Sequence, residues 1–80
     1  YKQAVSEEKF KKAITNYNKA IELRPEYRDA YIERAAYHMT FGDFKKALKD
    51  LEKAESYGAD VTHLVEAAKY ELEMQEEEED

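Results

Sequence analysis

His63 and Glu66 stand three residues apart, a spacing that sets an imidazole and a carboxylate on one turn of a helix, within reach of a single ion. Two ligands of mixed type do not complete a metal site, so no metal is expected. His38 is the only other imidazole. Proton transfer needs an ordered acid or base beside it, and the sequence places none there, so His38 reads as a residue of the core or its edge. Ser6 and Ser56 lack the neighbours that activate a nucleophile. Cysteine is absent, which removes thiolate, disulfide and redox chemistry. Gly42 and Gly58 lie sixteen residues apart, so no glycine-rich loop can cradle a phosphate, and no cofactor is expected. These residues argue against an enzyme and turn attention to the helices that carry them.

Apolar residues recur at three- and four-residue spacing along four segments. In 8–23 they are Phe10, Ala13, Ile14, Tyr17, Ala20 and Ile21; in 28–41 they are Tyr31, Ala35, His38, Met39 and Phe41. In 43–57 they are Phe44, Ala47, Leu48, Leu51 and Ala54; in 60–76 they are Val61, Leu64, Val65, Ala68 and Leu72. Pro25 has no amide hydrogen and drives Arg24 out of the helical region, which ends the first segment. Gly42 and Gly58 suit left-handed helix ends, and Asp43 and Asp60 after them are expected to cap the next helices. A short stub over 1–6 precedes a break at Ser6, with one unbroken helix from Tyr1 to Leu23 as the alternative. The run from Glu76 to Asp80 is acidic throughout and reads as a disordered tail.

Two of these segments are copies. Phe10, Lys11, Lys12, Ala13, Lys19 and Ala20 return as Phe44, Lys45, Lys46, Ala47, Lys53 and Ala54, each pair 34 residues apart. Repetition at that interval marks a two-helix unit that stacks on copies of itself. The paired alanines let neighbouring helices approach closely.

These residues resemble the tetratricopeptide repeat (TPR) family. Tyr31 stands where the family has Trp, Ala35 where it has Gly, and Gly42-Asp43-Phe44 matches the turn into the second helix. Ala47 with Leu51 matches the A-x-x-x-F element, and Ala54 is the Ala after it. One repeat earlier, Phe10, Ala13, Tyr17, Ala20 and Pro25 fill the same places. Arg34 departs where the family prefers Leu, His38 where it prefers an aromatic, and Ala59 where it has Pro. The fold implied is all-α: antiparallel helix-turn-helix repeats stacked as a short right-handed solenoid. It divides into the end of a first repeat over 1–27, a complete repeat over 28–61 and a final capping helix over 62–75.

The resemblance also implies a function, peptide binding on the concave face lined by the leading helices of successive repeats. The residues carried over are Asp29, Ile32, Glu33, Ala36, Met39 and Thr40 on one helix, and His63, Glu66, Ala67 and Tyr70 on the last. Asp29, Glu33 and Glu66 make that face acidic, and Ile32, Met39 and Tyr70 make it partly apolar. A protein or peptide with basic and apolar side chains is the expected partner. Family members that hold chaperone C-termini clamp a carboxylate with Lys, Asn and Arg. Here Glu33 takes the Asn place, and His63 and Ala67 take the Lys and Arg places, so a chaperone tail is not expected.

Bulk properties agree. Thirteen Lys and Arg against nineteen Asp and Glu give a formal net charge of -6, which disfavours nucleic acid and anionic membrane surfaces. No apolar run approaches the roughly 18 residues that cross a bilayer. The lack of cysteine suits a cytoplasmic protein. The chain begins at Tyr1 inside a helical pattern and reads as a piece of something longer, or as a designed or dissected repeat. An alternative role is structural, with repeats that space a larger protein or self-associate as a homo-oligomer through the incomplete N-terminal repeat.

Overall fold

The structure is a computed structural model that describes residues 7–78. The stub at 1–6, the break at Ser6 and the last two residues of the acidic tail fall outside that range. Four helices follow in order: α1 (Glu7–Leu23), α2 (Arg28–Thr40), α3 (Phe44–Ser56) and α4 (Thr62–Glu78). The described residues contain no strand. Each helix packs on its neighbours in sequence, α1 on α2, α2 on α3 and α3 on α4. The result is a slab of 41 × 29 × 19 Å, two helix diameters thick.

Local chemistry sets the boundaries. Residue Leu23 is the last of α1 before Pro25, and the Arg24 amide still reaches the Ala20 carbonyl at 2.9 Å. Helix α2 begins at Arg28 without a side-chain cap, and Asp29 in its first turn faces the positive end of the helix dipole instead. Gly42 and Gly58 adopt φ of 81° and 96°, in the left-handed region that glycine enters freely. Asp43 caps α3 as expected, its Oδ1 accepting from the Lys46 amide at 3.3 Å. Asp60 does not repeat that role. Helix α4 starts two residues later, at Thr62, and the Asp60 carboxylate accepts the Thr62 hydroxyl at 3.1 Å.

The helix also runs further than the sequence suggested, to Glu78. Gln75 pins its last turns by donating from Nε2 to the Gly42 carbonyl at 3.0 Å. The start of the acidic run therefore extends α4, and is not the disordered tail expected from Glu76.

The core joins α2, α3 and α4. Ala35, Ala47, Leu51, Val61, Val65 and Ala68 form its buried cluster, with Ile32, Met39, Phe44, Leu48 and Ala59 against it. Leu51 is its largest fully buried side chain, and the alanines around it allow the close helix approach. Two members of the expected apolar stripes stay out: Phe41 is 42% exposed and Leu64 38% exposed. Helix α1 buries no residue fully. The six residues of its expected apolar stripe are half-buried on the side toward α2, where Phe10 packs against Phe41 with centroids 4.3 Å apart, and Leu23 at its end is exposed.

Candidate functional site

The ten residues carried over from the resemblance lie on α2 and α4, as expected. Asp29, Glu33, Ala36 and Thr40 are exposed on α2; His63, Glu66, Ala67 and Tyr70 are exposed on α4. Ile32 and Met39 are half-buried against the core, so they offer an edge and not a full side chain. Tyr70 offers most apolar surface, at 63% exposure. The Thr40 hydroxyl donates back to the Ala36 carbonyl at 3.0 Å, which leaves its oxygen as an acceptor. Among the described residues no hydrogen bond or ion pair joins the α2 set to the α4 set.

Glu33 is tied to α1. The Tyr17 hydroxyl pairs with its carboxylate, and the Tyr17 pKa is pushed up to about 12 by burial first and by Glu33 second. The Tyr17 ring also lies 5.8 Å from Tyr37, so α1 braces α2 with an aromatic contact and a polar one.

A second polar feature was not read from the sequence. Asp50 on α3 is 6% exposed and sits among the core alanines. Arg34 grips it side-on, with Nε donating to Oδ2 at 2.8 Å and Nη2 to Oδ1 at 2.6 Å. Arg34 Nη1 donates to Asn18 Oδ1 at 2.6 Å, so one guanidinium ties α1, α2 and α3 together. The hydrogen bond with Asp50 holds the Arg34 pKa above its ordinary value, so the group stays charged. His38 lies beside this pair, 8% exposed, with Nε2 3.8 Å from Asp50 Oδ2. Burial pulls its pKa down against the attraction of Asp50, so the imidazole is neutral near pH 7. Arg34 and His38 are the two departures from the family pattern on α2, and both meet Asp50. Its place one turn from both Ala47 and Ala54 on α3 was the available signal.

Over this pair opens a cleft of about 320 Å³, lined by Ile14, Asn18, Arg34, His38, Lys46, Lys49 and Asp50. Among the described residues no group of three or more metal-ligating side chains gathers. Nor is any helix there long and apolar enough to cross a membrane.

The zigzag of helices, the 34-residue period and the glycine turns together define a helical-repeat protein. The family model of the TPR repeat matches residues 2–40 and places that stretch, with α1 and α2, in the tetratricopeptide repeat family. TPR repeats generally mediate protein–protein interaction and are typically non-catalytic. No curated protein and no solved structure matches the chain.

Proposed function

We propose that the chain is a non-catalytic interaction module that holds a partner segment on the face formed by α2 and α4. The segment carries basic and apolar side chains. The observation behind this reading is the exposure of Asp29, Glu33 and Glu66 together with Tyr70, one of the most exposed large side chains of the fold. Carboxylates on an open face attract a basic segment and fix its register, and an exposed tyrosine offers a broad apolar contact with a polar end. Glu33, His63 and Ala67 supply no fork of donors, so a terminal carboxylate is not the group held.

Fluorescence anisotropy with a labelled peptide alternating Arg and Leu tests this. Glu66→Lys combined with Tyr70→Ala is expected to weaken binding at least roughly tenfold, since loss of one charged contact and one aromatic contact each removes about 1 kcal/mol or more. Glu55→Lys, an exposed change on α3, serves as the control with the same change in charge. Equal affinity for the double variant and the parent would remove the α2–α4 face as the binding surface.

A further inference from the structure

The cleft over Arg34 lies away from the ten residues discussed above, and its charges do not cancel. Arg34, Lys46 and Lys49 line it with the carboxylate of Asp50, and Asp43 lies beside Lys46, which leaves one positive charge in surplus in a chain with formal net charge -6. Both Asp50 oxygens are already held by Arg34, and Arg34 Nη1 is held by Asn18. A guanidinium has five N–H donors, and three are engaged among the described residues, so two remain on a group whose position is fixed. Lys46 and Lys49 lie three residues apart on α3, and so on one side of it. The pair between Lys46 Nζ and Asp43 Oδ2 is long, at 3.7 Å, and exposed, so Lys46 can leave it. The volume is far above the ~10–15 Å³ that admits one water.

We propose that this cleft is an anion site for a single phosphoryl group. A phosphate monoester carries a charge of about −1.5 to −2 near pH 7, which the surplus positive charge of the cleft attracts, the more so once Lys46 turns from Asp43 to the guest. The fixed guanidinium supplies direction, and the two lysines supply charge on mobile stems. A long polyanion is repelled by the acidic remainder of the chain, which restricts the guest to a compact group. This site shares no residue with the peptide face proposed above.

The fold supplies its own reporter. The His38 ring lines the cleft, and facing it are Phe10, Ile14 and Asn18 from α1, Arg34 from its own helix, and Asp43, Lys46, Lys49 and Asp50 from α3 and its cap. An added anion favours the imidazolium and raises the midpoint of its titration. His63 is exposed on α4 and is the internal control.

The experiment follows the two histidine rings by NMR in the 80-residue chain. Inorganic phosphate is compared with sodium chloride at equal ionic strength, then a phosphoserine peptide with its unphosphorylated twin. The expected result is saturable movement of the His38 signals and an upward shift of its titration midpoint, with His63 unmoved. Lys46→Gln combined with Lys49→Gln, both exposed positions, raises the half-saturating concentration at least roughly tenfold without changing helicity. Similar saturation by inorganic phosphate and phosphopeptide supports a free anion as guest. Tighter saturation by the phosphopeptide, with a silent twin, supports a phosphorylated partner. The proposal is overturned if chloride acts like phosphate, if His63 moves as much as His38, or if the double variant keeps the parent's half-saturation.

Discussion

Removing either partner of the Arg34–Asp50 pair should cost far more than removing both. Asp50→Ala leaves a guanidinium held between three helices without its counter-charge; Arg34→Leu leaves a buried carboxylate beside neutral His38, with only the exposed Lys46 and Lys49 across the cleft. Breaking a fully buried pair costs about 3–5 kcal/mol, and partial solvent contact lowers that figure. The Arg34 side chain is 21% exposed and that of Asp50 is 9% exposed. Each single change is therefore expected to cost about 2–3 kcal/mol. A chain of this size has roughly 4–12 kcal/mol of total stability, at about 0.05–0.15 kcal/mol per residue. The melting temperature should fall by roughly 10–20 °C, at about 4–8 °C per kcal/mol. The double variant puts back the aliphatic residue the TPR pattern prefers at position 34 and removes the buried charge. It should be more stable than either single variant, which requires a coupling of at least about 3 kcal/mol, the upper end for residues in direct contact. Urea unfolding followed by circular dichroism at neutral pH measures all four corners of the cycle. Single losses below about 0.5 kcal/mol, or additivity within about that amount, would refute the claim that this pair locks three helices.

Stability should fall as pH drops below 6.5, the ordinary histidine value, because burial depresses the His38 pKa in the folded state. The contribution of the neutral ring is complete above that value and is lost as pH falls through the folded one, so His38→Phe should flatten this part of a urea-midpoint profile. Ala47 is 0% exposed, and Ala47→Leu is expected to destabilise by roughly 1–3 kcal/mol through overpacking, read by thermal melting. An unchanged melt there would contradict the register that buries Ala47 in the core between helices. Gly58→Ala should cost about 1–2 kcal/mol, since φ of 96° is strained for alanine and the new Cβ would come within 3.1 Å of Arg28 Nη1. Gly58→Asn, which tolerates that region better, should recover part of the loss in the same assay.

The helices were legible because local rules and the repeat agreed. Pro25, Gly42 and Gly58 stop helices by backbone chemistry that needs no tertiary context, and the apolar spacing of α3 picked Ala47, Leu51 and Ala54 correctly. Asp60 misled because an acid after a glycine is a plausible cap, yet the chain spends two more residues reaching Thr62, and a side-chain contact absorbs the carboxylate. The tail misled because like charge was weighed without the Gln75–Gly42 bond that holds the preceding turns. On the peptide face, the exposure of Tyr70 and Glu66 follows from helix periodicity, whereas the Tyr17–Glu33 contact depends on the packing of α1 on α2. The Arg34–Asp50–His38 cluster was half visible. Two odd residues on α2 stood out against the family pattern, but their common partner sat on another helix, among residues read only as apolar.

The shallow seating of α1 has a consequence in time. In a stack where each unit touches only its neighbours, the end unit opens at its own low free energy, well before the whole molecule unfolds. Amide hydrogens of α1 should therefore exchange through a private opening, and those around Leu51 only through global unfolding. Residues Ile14 and Asn18 on α1 form one wall of the cleft, and Tyr17 holds Glu33 on α2. Each opening thus dismantles the cleft and frees the Glu33 carboxylate in one step. A guest in the cleft acts as a clasp on the first helix, and its concentration sets how often that helix lets go.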